Sequence, residues 1–181
     1  MTSSAPSSRR RVLITGLGPV SAIGHGSHDF AQALRRGDRG LRAISAFDAT
    51  GFPTALAGEI TDLNARDYVP KAYRKATKVM ARDIELAVVA ARLAVTDARL
   101  ATRDAEATEG GHPIDPKRTG CQIGAGFIAA DIDELTLAMA SAQSEAGGGP
   151  SWDLRKWGTE GEGDGGMNNL PPLWLLKYLP N

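Results

Sequence analysis

Cysteine is nearly missing from this chain: Cys121 is the only one in 181 residues. A lone thiol forms no internal disulfide and cannot build a thiolate metal site, so a disulfide scaffold and a zinc ribbon are both excluded. Histidine is almost as scarce, with His25, His28 and His112 alone. The first two straddle a loop-to-helix junction and the third falls in a polar stretch, so neither a metal nor a cofactor is expected. Net charge is lacking as well, with 21 Lys+Arg against 21 Asp+Glu. Such a balance offers no field to gather nucleic acid or an anionic membrane. No apolar run approaches the roughly 20 residues that span a bilayer. The most apolar end, Leu170 to Leu179, is interrupted by Pro171, Pro172 and Lys177. No nucleic-acid or membrane partner is expected, and the reduced thiol fits the cytoplasm.

What is present is a globular composition, 42% hydrophobic, in a chain long enough to bury one core. Residues 1–10 are Ser-rich and read as a disordered leader. Arg9-Arg10-Arg11 resembles a twin-arginine export signal. However, four glycines and Pro19 follow by Gly26 and no small-x-small cleavage site appears, so the leader reading is preferred. Val12 to Thr15 is a β-branched apolar run ended by Gly16 and reads as a strand buried on both faces. Ser27 is placed to cap a helix whose apolar face is Phe30, Ala33 and Leu34, with Asp29 near its positive end and Gly37 as its stop. Ala55 to Ile60 predicts a second strand. Lys75 to Arg99 predicts a long helix, apolar around most of its circumference and therefore covered on more than one side. Its alanines at 87, 90, 91 and 94 permit close packing. Gly120 to Gly124 predicts a third strand and Ala129 to Ser144 a further helix. This order argues for an α/β fold with a mostly parallel sheet and packed helices.

Three chemistries can be weighed from the residues alone. Gly16-x-Gly18 after a strand suggests a dinucleotide loop, but Ser21 stands at the third glycine, Pro19 has no N–H for a phosphate, and no acidic strand end follows. Cys121 lies inside an expected strand, with no helix N-terminus or histidine to stabilise a thiolate, so a buried structural role is expected. No nucleophile elbow marks a Ser/His/Asp site.

The stretch Arg11-Val12-Leu13-Ile14-Thr15-Gly16-Leu17-Gly18-Pro19-Val20-Ser21-Ala22-Ile23-Gly24 resembles the opening of the β-ketoacyl-(acyl carrier protein) synthases. Further pieces follow in the same order: Phe47-Asp48, Ala57-Gly58-Glu59-Ile60, Asp97-Ala98-Arg99-Leu100, and Arg118-x-Gly120-x-x-Ile123-Gly124-Ala125-Gly126. Arg99 replaces the family's usual glycine. The resemblance implies the incomplete N-terminal half of a thiolase-like layered fold. Residues 11–144 would form the partial domain, 145–169 a Gly-rich mobile loop with one short turn near Trp152 to Trp157, and 170–181 the start of the segment leading to the active site. It implies decarboxylative Claisen condensation of an acyl thioester with malonyl carrier protein, in fatty acid or polyketide synthesis. Acyl carrier protein, in its acyl and malonyl forms, would be the partner, and the complete enzyme a homodimer or heterodimer.

The family's nucleophilic cysteine and two histidines match no residue here, so no catalytic residue is assigned and the chain alone is expected to be inactive. By resemblance, Phe127 and Trp174 match positions that line the acyl-chain pocket. The alternative is a non-catalytic partner, a chain-length-factor-like subunit or a split half.

Overall fold

The computed structural model describes residues 11–102, 111–124, 126, 130–146, 149–158 and 165–178. The expected leader, residues 1–10, lies outside them. Val20–Ser21 (β1) turns back on Gly24–His25 (β2) as a tight antiparallel pair. Helix α1, Ser27–Arg36, follows immediately. Gly37 ends it in the left-handed region at φ 74°. From there its N–H reaches Leu34 O at 3.1 Å while Asp38 N–H reaches Ala33 O at 3.0 Å, the paired bonds of a Schellman stop. The start differs from expectation. Ser27 is the first helical residue and Gly26 precedes it with no side-chain cap, because the Ser27 hydroxyl is engaged by Asp97 instead.

Leu41–Ala43 (β3) pairs antiparallel with Leu56–Gly58 (β4), in the register Leu41↔Gly58, Arg42↔Ala57 and Ala43↔Leu56. The second strand is thus shorter than 55–60. The helix expected over 75–99 is two elements: a 3-10 turn at Ala76–Val79 and helix α2, Arg82–Asp97. Extended backbone at Met80 and Ala81 separates them. Val89 of α2 is fully buried against Leu63 and Ala65, with Val20, Ile60, Tyr68, Leu86 and Leu93 packed around them. The other faces of α2 are half-covered, less than its apolar circumference predicts.

Leu100–Ala101 (β5) pairs parallel with His112–Pro113 (β6). Helix α3, Ile132–Ser141, starts at Asp131, whose Oδ1 accepts from the N–H groups of Asp133 (2.9 Å) and Glu134 (3.3 Å). An antiparallel hairpin, Gln143–Ala146 (β7) with Gly149–Trp152 (β8), leads into the short helix α4, Leu154–Trp157. A 3-10 turn at Gly166–Asn169 packs on α3, and α5 spans Trp174–Tyr178. The described part of 145–169 thus holds the hairpin, the turn α4 where one short turn near Trp152 to Trp157 is expected, and the 3-10 turn. The Trp152 and Trp157 rings are in contact, with centroids 5.1 Å apart.

The mostly parallel sheet requires correction. Among the described residues the strands form two-stranded sheets only, antiparallel in three and parallel in β5–β6. The expected strands at 12–15 and 120–124 are unpaired backbone. Their side chains face solvent: Val12 is 93% exposed, Ile14 82% and Ile123 58%. Hairpins close locally, whereas a parallel ladder forms only when distant segments meet. Those two segments meet no partner strand among the described residues. No described helix is long and apolar enough to cross a membrane.

Candidate functional site

The glycine loop is built for a helix rather than for a phosphate. A Cβ on Gly16 would stand 2.3 Å from Ala94 O, and one on Gly18 would stand 2.1 Å from Ala90 O and 2.5 Å from Ala94 N. These are backbone atoms of α2, so hydrogen at both positions is what lets the loop lie on the helix. Two of the four alanines that permit close packing, Ala90 and Ala94, are the ones it meets. Asp97, the last residue of α2, fixes the contact: one carboxylate oxygen accepts from Leu17 N–H at 2.8 Å and the other from the Ser27 hydroxyl at 2.6 Å. One side chain thus ties together the loop, the start of α1 and the end of α2.

The Ser27 hydroxyl, and secondly the Leu17 N–H, hold the Asp97 carboxyl below the ordinary aspartate range, since both stabilise the charged form. A carboxylate depressed on folding contributes stability above the unfolded-state pKa and loses it as pH falls through the folded one. The loop–helix contact is therefore expected to loosen in acid, below the usual aspartate pKa. Asp97→Asn should flatten that part of the profile, as followed by amide exchange at Leu17.

Glu59 performs a similar task. Its carboxylate accepts from the Ser45 hydroxyl at 2.8 Å and from the N–H groups of Ser45 and Ala46 at 2.9 Å each, and these bonds lower its pKa. It thereby pins the β3–β4 connection. Nearby, a polar cleft of about 500 Å³ runs between Ser21–His25, Arg39, Arg42 and Asp62. His25 Nε2 is 3.7 Å from Asp62 Oδ1, and Arg42 Nη2 donates to Ala22 O at 3.2 Å. His28 meets Gln32. No group of three metal-ligating side chains occurs among the described residues.

Cys121 is exposed, contrary to the buried role expected, because the strand that would have covered it is unpaired. Phe127 lies outside the described residues. Trp174 opens α5, half-buried, with its ring 4.8 Å from that of Tyr178 and its Nε1 buried without a hydrogen-bond partner among the described residues. Of the two expected pocket residues, the described structure therefore holds Trp174 alone. It adds Glu134, which sequence reasoning passed over. The Tyr178 hydroxyl donates to Glu134 Oε2 at 2.8 Å and accepts from Asp131 N–H at 3.0 Å, and Lys177 Nζ pairs with Glu134 Oε1.

A family profile described as "Beta-ketoacyl synthase, N-terminal domain" matches residues 9–152. The chain belongs to the β-ketoacyl synthase family. It is 38% identical over 76 residues to a chloroplastic 3-oxoacyl-[acyl-carrier-protein] synthase II of Arabidopsis thaliana, a match covering 41% of this chain and 14% of that protein. It is 36% identical over 74 residues to the granaticin polyketide putative beta-ketoacyl synthase 2 of Streptomyces violaceoruber, covering 41% of this chain and 18% of that one. Among solved structures, the ishigamide ketosynthase/chain length factor aligns with TM-score 0.46 and 39% identity, covering 54% of this chain and 23% of that one. The matches thus span under a fifth of the length of those two synthases. In this β-ketoacyl synthase chain, the motif residues Gly16, Gly18, Glu59 and Asp97 hold the loop, helix and strand connections together.

Proposed function

We propose that the chain is an N-terminal portion of a β-ketoacyl-(acyl carrier protein) synthase, supplying scaffold and pocket wall for decarboxylative Claisen condensation while the reacting groups come from elsewhere. The family match over residues 9–152 carries this reading. The bare apolar segment at Val12, Leu13 and Ile14, 93%, 72% and 82% exposed, supports it, since such a surface calls for companion strands. The condensation needs a thiolate to accept the acyl group from its carrier. Malonyl carrier protein then loses carbon dioxide, and the enolate carbon attacks the acyl thioester and releases the thiolate. Backbone N–H donors would hold the oxyanion. Cys121, exposed and with no histidine beside it in sequence, is not fitted to the thiolate role.

The carrier is the expected partner. Lys71, Arg74, Lys75 and Lys78 form a run with no acidic residue between Asp67 and Asp83, a cationic surface suited to an acidic carrier. A homodimer or heterodimer in the cytoplasm is the expected working state. Phe127 and Trp174 are assigned to the acyl-pocket wall. In the assembled synthase Phe127→Ala should move product length upward, and an unchanged product profile would remove Phe127 from the wall.

A second reading makes the chain a non-catalytic partner, chain-length-factor-like or a split half, since a separate polypeptide could cover the same bare segment. Reading the message beyond the Asn181 codon separates the two. A continuing frame with a cysteine at a strand-to-helix junction supports the enzyme portion, and a stop supports the partner.

A further inference from the structure

Helix α5 is held to the start of α3 by a three-residue latch. Glu134, in the first turn of α3, uses both carboxylate oxygens: Oε1 on Lys177 Nζ and Oε2 on the Tyr178 hydroxyl. The same hydroxyl accepts the N–H of Asp131, the residue that caps α3. Lys177 and Glu134 are 22% and 21% exposed, so the pair is sheltered from solvent without being sealed off. Its hydrogen bond to Glu134 raises the Lys177 pKa, while burial is the main cause of the raised Tyr178 pKa. The Tyr178 ring in turn packs at 4.8 Å on the ring of Trp174. A direct path of contact therefore joins Glu134 to Trp174, although neither touches the other in any bond described above.

We propose that Glu134 is a positioning residue for acyl-length selection: by clamping Lys177 and Tyr178 it sets the orientation in which α5 presents Trp174. This rests on the assignment of Trp174 to the pocket wall. A tryptophan on a five-residue helix has little intrinsic stability to hold it, because so short a helix is not self-supporting. Its placement must come from tertiary bonds, and the charge-assisted bonds at Glu134 are the strongest that α5 makes. With the latch open, Trp174 swings and the wall it forms becomes permissive to longer acyl chains.

The first measurement needs no activity. In a chain with Trp152→Phe and Trp157→Phe, Trp174 is the only tryptophan left, and its emission and acrylamide quenching report its cover. Glu134→Gln and Tyr178→Phe should each red-shift the emission and raise quenching, with Glu134→Asp restoring part of the cover. Unchanged fluorescence in both variants overturns the latch. The second measurement uses the assembled synthase. Glu134→Gln should move product length the same way as Trp174→Ala, lowering KM for the longest acyl thioester while kcat holds. If Trp174→Ala shifts the products and Glu134→Gln does not, the positioning role is wrong and the wall stands. If Trp174→Ala itself changes nothing, the wall assignment fails and takes the specificity role with it, whatever the fluorescence shows of the latch.

Discussion

Gly18→Ala is expected to break the contact between the glycine loop and α2 and to leave little of the native core. The added carbon would lie 2.1 Å from Ala90 O and 2.5 Å from Ala94 N. Neither atom belongs to a side chain that can turn away. Overpacking against movable side chains costs about 1–3 kcal/mol, and a backbone obstacle belongs at or above the top of that range. Only Leu63 and Val89 are buried large hydrophobic residues among those described, so the core has little reserve. Loss of amide protection at Val89 and of far-UV helical signal is the expected readout. Two controls bracket it. Gly37→Ala meets no atom within 4 Å but sits at φ 74°, and should cost about 1 kcal/mol. Gly120→Ala meets nothing and has no such backbone demand, so its effect should stay within about 0.5 kcal/mol.

The second large effect concerns the bare apolar segment. Fully burying a Val, Leu or Ile side chain is worth about 1.5–3 kcal/mol, so Val12, Leu13 and Ile14 together forgo roughly 5–9 kcal/mol by staying exposed. That rivals the whole stability of an ordinary domain, about 5–15 kcal/mol. Purified alone, the chain should bind a hydrophobic dye, associate with itself and melt over a broad range. A sharp cooperative melt of a monomer would contradict this. Replacing Val12 and Ile14 with serine should reduce dye binding and self-association, and should also abolish assembly with a companion polypeptide.

How far the chain could be read from its residues depended on distance along it. Helix α1 was legible because its signals are local: an apolar face at helical spacing and Gly37 as its stop. The same local view assigned Ser27 to a cap, whereas its hydroxyl answers to Asp97, 70 residues away. No pattern within a helical window carries that information. Val12 to Thr15 has every property of a strand except a neighbour, and a strand is defined by its neighbour. The two glycines suggested a dinucleotide loop, whereas the backbone of α2 is what lies against them. Glu134 carried no signal in the sequence, because its partners lie 43 and 44 residues later. Trp174 was singled out by resemblance alone, and no local pattern marked the bonds that Glu134 makes to Lys177 and Tyr178 of the same helix.

Under the proposed function, this polypeptide supplies scaffold for a carbon–carbon bond-forming site while the reacting atoms come from elsewhere. The direct measurement is condensation of acyl and malonyl carrier protein by the purified chain, followed through labelled carbon dioxide release and two-carbon-longer product. The chain alone should give neither, and both should appear when a polypeptide bearing the nucleophilic cysteine and two histidines is added. Elongated product from the chain by itself would contradict the proposed scaffold role.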